Sequence, residues 1–324
     1  MPELPEVEVV RLGLRDWVMG ATITEAQILD PRSLRRHLAG VQDFQDQLTG
    51  TRITNISRRG KYLWFTVVGQ HGPTALVAHL GMSGQLLVKS GQQRYQHQHS
   101  APDPALIPQL KHLKILLNCK RENGEEVELW FVDQRIFGGM FIDTFVQTSD
   151  RLPAGQSEVP ESLIPAQVTH IARDPLDEHF DGEELFQRLR KKNTGLKRAL
   201  LDQSLISGVG NIYADEALFE AGLHYQRRTA HLTRSEVQRT VAALREIFVR
   251  SLAAGGTSFD ALYVDVSGTP GYFARALEVY GRENQPCRRC AAAGTQQLIR
   301  RETFMNRSSY YCPTCQPRPR NRHS

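Results

Sequence analysis

The chain has 324 residues, with 40 Lys and Arg against 35 Asp and Glu, a formal charge of +5. Hydrophobic residues make up 40% and glycines number 25, a balance that excludes a disordered, collagen-like or disulfide-stapled chain and predicts about two domains. No run approaches the ~18 apolar residues of a membrane helix. The opening Met1-Pro2-Glu3-Leu4-Pro5-Glu6 lacks the apolar core of a secretory signal, so a cytosolic location is expected.

The charge is unevenly placed. Residues 282–324 carry nine Arg and two acids, whereas residues 1–281 carry 31 basic and 33 acidic side chains. A second basic run, Arg188, Arg190, Lys191, Lys192, Lys197 and Arg198, meets no acid between 188 and 198. Such runs suit a phosphate-binding surface, and they equally suit a solvated helix face with a basic tail.

Spacing predicts a helix over 6–19, with Val7, Val10, Leu14, Trp17 and Val18 on one face and Gly20 as its stop. Short β-like runs follow at 51–57, 62–68, 75–79, 85–88, 114–119, 126–132 and 139–142. Glycine-containing turns separate most of them, which predicts an antiparallel sandwich or barrel. Residues 90–110, with His97 and His99, read as an exposed loop. Pro153, Pro160 and Pro165 mark 151–168 as a linker. Helices are expected at 183–192, 196–203, 212–221 and 234–254, and residues 316–324 read as a disordered basic tail.

Cys287-x2-Cys290 and Cys312-x2-Cys315 form two knuckles separated by 21 residues. Four thiolates in this pattern suit one structural zinc ion, with no open position for chemistry. Cys119, in an apolar strand, reads as a small buried hydrophobe. Arg300, Arg301 and Arg307 lie between the knuckles, so this module is expected to present a basic hairpin.

The turn Gly208-Val209-Gly210-Asn211 joins two predicted helices and lacks the third glycine of a dinucleotide fingerprint, with Tyr213 in its place. Two readings stand: an ordinary helix–helix turn, or a two-turn connection whose amides face an anion. On the second, Lys197 and Asn211 add donors to the same phosphate.

Taken together, six motifs resemble one family. Met1-Pro2-Glu3-Leu4-Pro5-Glu6-Val7-Glu8, Arg59-Gly60-Lys61, His79-Leu80-Gly81-Met82-Ser83-Gly84, Asp133-Gln134-Arg135-Ile136-Phe137-Gly138, Gly208-Val209-Gly210-Asn211-Ile212-Tyr213 and the cysteine module resemble the formamidopyrimidine-DNA glycosylases. The resemblance spans residues 2–315. It implies an α+β multidomain fold: an N-terminal β-sandwich with a leading helix over 2–150, a linker over 151–168, a helix–two-turn–helix domain over 169–285, and a zinc finger over 286–315.

The resemblance also implies a mechanism. After removal of Met1, the Pro2 amine would attack C1′ of an oxidised purine nucleoside in duplex DNA. An α-amine with a pKa of about 7.7–8.0 is roughly 10% unprotonated at pH 7, far more than a lysine. Pro2 is equally a common helix-start residue. Glu3 corresponds to the general acid/base. Glu6, three residues on, shares its helix face, and the proximity of two carboxylates is expected to raise one pKa.

Lys61 corresponds to a lysine gripping phosphate near the lesion. Met82, Arg135 and Phe137 correspond to a trio filling the gap left by an extruded nucleotide. Lys197, Asn211, Arg307 and, less closely, His112 match strand-contact positions. The sister branch resembles endonuclease VIII and favours oxidised pyrimidines. Leu4, Arg135, Phe137 and the glycine-rich 255–271 stretch, read as a lesion loop, look more like the purine branch. Ile136 and the 90–110 insertion depart from the family pattern. A non-catalytic damaged-DNA-binding protein is the alternative function. A monomer is expected.

Overall fold

The computed structural model describes residues 2–91, 107–256, 265–268 and 271–319. They fall into two compact units, one spanning 1–170 with 255–272, the other 171–254 with 273–324.

The first unit opens with α1 (Leu4–Val18), then β1 (Thr22–Ile28) and α2 (Gly40–Leu48). β2 (Arg52–Arg59), β3 (Tyr62–Gly69), β4 (Gly72–His79), β5 (Gly84–Ser90), α3 (Ile107–Lys111), β6 (Leu113–Lys120), β7 (Glu126–Asp133) and β8 (Gly139–Asp143) follow. The strands run in the order β5-β7-β6-β1-β2-β3-β4-β8, every pair antiparallel. β1 and β2 share a single register pair, Thr22 with Arg52, so the strands divide there into two four-stranded halves. That division makes the expected β-sandwich. Its core joins Phe65, Leu76 and Ile56 of one half to Leu117, Leu129 and Phe131 of the other. α1 adds Val7, Val10, Leu14 and Val18 to the same core, so its position is fixed by its apolar face.

Several elements escape the sequence pattern, among them α3, which begins inside the 90–110 stretch read as a loop, and β1 and α2. β1 carries a register shift between Ile23 and Glu25, which breaks the alternation that would have marked it. α2 has only Phe44 and Leu48 buried among polar residues. The 151–168 stretch is packed, not free. Within it β10 (Leu163–Pro165) pairs with β9 (Phe145–Gln147), and Gln156 exchanges backbone hydrogen bonds with Arg58. His97, His99 and most of the 90–110 insertion lie outside the described residues.

The second unit contains α4 (Gly182–Lys191), α5 (Leu196–Leu200), α6 (Asn211–Glu220), α7 (Arg234–Ala253), α8 (Arg288–Ala292) and the hairpin β11 (Arg300–Phe304) to β12 (Arg307–Tyr311). α5 stops three residues earlier than expected. The Gln203 side chain is the reason: its Nε2 donates to the Leu201 and Val209 carbonyls and its Oε1 accepts from Gly208 N–H, closing the two-turn connection. The tail reading also changes at Gln316, which is buried, accepts from Cys312 N–H and donates to the Leu223 carbonyl. Residues 320–324 lie outside the described residues. Among the described residues no helix is long and apolar enough to cross a membrane.

Candidate active site and nucleic-acid interface

Pro2 and Glu3 are buried at the start of α1, where Glu3 is the N-cap. The cap is reciprocal. The Glu3 side chain accepts from the Glu6 amide, and Glu6 Oε2 accepts from Glu3 N–H at 2.9 Å. The cap is therefore Glu3 and the helix begins at Leu4, two residues before the predicted start at 6. Glu6 holds the backbone of Glu3, and a Cβ at Gly256 would lie 3.3 Å from Glu6 Cγ. Val266 packs on Gly13, and its carbonyl accepts from Val88 N–H. The described parts of the 255–271 stretch thus lie along α1; residues 257–264 and 269–270 lie outside the described residues.

One turn along α1, Glu8 is buried with two arginines. Arg58 Nε lies 2.7 Å from Glu8 Oε2, and Arg11 donates to both Glu8 oxygens at 2.8–3.1 Å. Burial raises the Glu8 carboxyl, and the charges and hydrogen bonds of Arg58 and Arg11 overcome it, leaving it below its ordinary value. Arg58 Nη1 also donates to the Gly60 carbonyl at 3.1 Å. Gly60, at φ +57°, permits the tight β2–β3 turn that places Lys61, itself buried. Sequence reasoning missed Glu8, Arg11 and Arg58. Their only signal was a second arginine beside Arg59.

Met82, Arg135 and Phe137 come from two loops that the structure brings together. An added Cβ on Gly81 would lie 2.4 Å from Gly138 N and 2.5 Å from Phe137 C, so the two backbones touch. The fully buried Asp133 carboxylate ties both loops, accepting from Ser83 Oγ at 2.6 Å, Arg135 N–H at 3.1 Å and Gly138 N–H at 2.8 Å. Arg35 donates to the carbonyls of Ile136 and Phe137, and Ile136 sits at φ +55°. Met82 is 42% and Phe137 51% exposed. Two large apolar side chains held in solvent on rigid loops suit insertion into a stack of bases. His112 is half-buried just before β6, its carbonyl accepting from Asp133 N–H at 2.9 Å.

His79 closes β4 beneath these loops. Burial first, then the charges of Arg36, Lys61 and Arg35, lower its pKa to about 4. A neutral ring agrees with the geometry, since Nδ1 accepts from Gly81 N–H at 3.2 Å.

In the second unit the basic run is largely occupied. Arg188 donates to the Ser204 carbonyl, Arg190 to the Leu232 carbonyl, and Lys192 pairs with Asp202. Lys191 and Arg198 are exposed. Lys197 has partners within the protein. Its side chain is fully buried, with Nζ 2.7 Å from Asp215 Oδ1, 2.9 Å from Ser309 Oγ and 3.0 Å from the Ser308 carbonyl. Asn211 Nδ2 donates to that same carbonyl at 3.1 Å. Arg307 follows the Met305–Asn306 turn, both at positive φ, and is exposed. Glu216 accepts from the amides of Glu278, Val279 and Tyr280, fixing the approach to the cysteine module. Asp215 and Glu216, adjacent buried acids in the middle of α6, were the overlooked sequence signal.

The four module cysteines have all their Sγ atoms within 4.8 Å of one another. Cys287–Cys315 is 3.8 Å, and Cys290 is 3.6 Å from both Cys312 and Cys315. Tetrahedral metal–sulfur bonds of about 2.3 Å require sulfurs about 3.8 Å apart, whereas a disulfide needs about 2.05 Å. The donor set fits a metal ion and not a pair of disulfides. Burial pushes the Cys315 thiol up, so a cation is what would hold four thiolates together here.

Comparison with known proteins agrees with this geometry. Residues 1–140 match the formamidopyrimidine-DNA glycosylase N-terminal domain, and residues 171–262 match the formamidopyrimidine-DNA glycosylase H2TH domain. The formamidopyrimidine-DNA glycosylase of Kineococcus radiotolerans is 50% identical, covering 100% of both chains. That of Thermobifida fusca is 51% identical over 99% of both. A Lactococcus lactis Fpg mutant, solved in complex with a Fapy-dG containing DNA, is 27% identical over 98% of this chain and 100% of its own, with a TM-score of 0.75. The MutM (Fpg) protein of Thermus thermophilus is 33% identical over 98% and 100%, with a TM-score of 0.73. The chain therefore belongs to the formamidopyrimidine-DNA glycosylase family, with the glycosylase and AP-lyase activity of its purine branch.

Proposed function

We propose that the chain removes 8-oxoguanine and formamidopyrimidines from duplex DNA with Pro2 as the nucleophile, then cleaves the strand. The observation that carries this reading is the burial of Pro2 and Glu3 at the capped start of α1. There the helix dipole disfavours an ammonium and keeps more of the amine free to react.

The Pro2 nitrogen forms a bond to C1′ as the bond from C1′ to the base breaks, and the departing base takes up a proton. Glu3 protonates the sugar ring oxygen, the ring opens and an iminium results. Loss of a C2′ proton expels the 3′ phosphate, and a second elimination expels the 5′ phosphate. Glu6 positions Glu3 through its amide. Lys61 holds a phosphate near the lesion. Met82, Arg135 and Phe137 occupy the space of the extruded nucleotide, and His112 touches the strand beside them. Asn211 and Arg307 hold backbone phosphates.

Cys287, Cys290, Cys312 and Cys315 would hold one Zn2+, which supplies structure and no reactive position. Four thiolates held for a metal suit a reducing cytoplasm, and one active site per chain favours a monomer. The test is borohydride reduction during incubation with duplexes carrying 8-oxoguanine or an oxidised pyrimidine, after intact mass has verified loss of Met1. A covalent adduct that favours the purine lesion is expected. Specific binding without any adduct would favour the non-catalytic alternative.

A further inference from the structure

Lys197 carries three N–H donors, and three acceptors surround them: Asp215 Oδ1, Ser309 Oγ and the Ser308 carbonyl, at 2.7, 2.9 and 3.0 Å. The side chain is 0% exposed and Asp215 1% exposed. The Phe304 ring lies 5.1 Å from the same ammonium. A lysine so placed has no donor left for a phosphate. What it holds instead is the strand just after Arg307. Asp215 Oδ2 accepts from Tyr310 N–H at 3.0 Å, and Asn211 Nδ2 donates to the Ser308 carbonyl at 3.1 Å. Residues 308, 309 and 310 are thus each gripped by side chains of α5 or α6. The other end of β12 is a two-residue turn at Met305–Asn306, both with positive φ, which allows one local geometry.

We propose that Lys197 and Asp215 are positioning residues that aim the Arg307 guanidinium at the DNA backbone, and that Lys197 makes no phosphate contact of its own. This inference rests on the reading of Arg307 as a phosphate ligand. The buried pair transmits the position of the two-turn helices to the hairpin directly through β12, in addition to whatever hold the cysteine module exerts. Breaking one partner alone would leave an unpaired buried charge, so the informative variant replaces both.

The experiment measures binding to a duplex bearing a non-cleavable tetrahydrofuran site against salt concentration. It uses the metal-loaded wild type, Arg307→Ala, the pair Lys197→Met/Asp215→Asn, and the triple variant. Each lost phosphate contact lowers the log–log slope by about one. Arg307→Ala is expected to lower it by about one, the paired variant by up to the same amount, and the triple variant by no more than Arg307→Ala. A triple variant lower by about two would show a separate Lys197 phosphate contact and overturn the proposal. A paired variant with the wild-type slope would also overturn it. If Arg307→Ala itself leaves the slope unchanged, the phosphate reading of Arg307 fails, and the positioning role falls with it.

Metal content and circular dichroism of each variant check that the module remains folded. Should the paired variant not fold, Ser309→Ala removes one Lys197 acceptor and keeps both charges. It is expected to weaken binding several-fold in the Arg307 background and to have no effect in Arg307→Ala. Equal weakening in both backgrounds would contradict the proposal.

Discussion

Arg58 Nε lies 2.7 Å from Glu8 Oε2, inside the protein, and joins α1 to the turn that carries Lys61. The proposed nucleophile, Pro2, immediately precedes the N-cap of α1, so this ion pair links the amine's helix to the lysine's loop. Glu8→Gln would leave the buried Arg58 without its counter-charge and should cost about 3 kcal/mol or more, read by urea unfolding. The Glu8 carboxyl is depressed on folding, so its contribution is full above its unfolded pKa and is lost as pH falls through the folded value. Wild-type stability should therefore fall in acid below about pH 4.5, and Glu8→Gln should flatten that fall.

His79 predicts a second pH effect with its own window. Its folded pKa of about 4 lies below the ordinary 6.5, so between those values the unfolded chain binds a proton that the folded one does not. Stability should decline as pH drops from about 6.5 toward 4, by on the order of 3 kcal/mol at most. His79→Asn, which keeps an acceptor for Gly81 N–H, should remove this part of the slope in thermal melts. An unchanged slope would show that folding does not lower the His79 pKa.

Asp133 holds both loops of the extrusion trio through three donors. Asp133→Asn exchanges one accepting oxygen for a donor facing other donors. A loss of about 1–3 kcal/mol is expected. Because Met82 and Phe137 then lose their fixed separation, 8-oxoguanine excision should fall at least tenfold. Single-turnover incision assays read the second effect independently of melting.

Metal removal should act on the second unit. Cys287, Cys290 and Cys312 pack with Phe219 of α6, Val279 and Ile299 in one apolar cluster. Metal analysis should find one zinc per chain, and Cys312→Ser should lose it, weaken DNA binding at least tenfold and loosen that cluster. Hydrogen exchange should rise in the module while strands β2–β4 stay protected.

The sequence made the strands β2–β8 and the cysteine module legible, because alternation and knuckle spacing are local properties. β1 was hidden by its bulge, and α1 starts early because a side-chain cap, not hydrophobic spacing, sets its first turn. Pro2 and Glu3 were legible only through the motif as a whole. The burial of Lys197 was not legible, because its partners are distant in sequence. Asp215, Ser308 and Ser309 arrive from 18 to 112 residues away and bury it. Arg58 was overlooked for the same reason, its partner Glu8 lying 50 residues back.

The proposed reacting atom is the Pro2 nitrogen. The most direct measurement is peptide mapping by mass spectrometry of the adduct formed with an 8-oxoguanine duplex under borohydride. The sugar remnant is expected on the N-terminal peptide, attached at Pro2, with Pro2→Gly reacting more slowly at the same position. An adduct on Lys61 or any other lysine, with Pro2 unmodified, would contradict it.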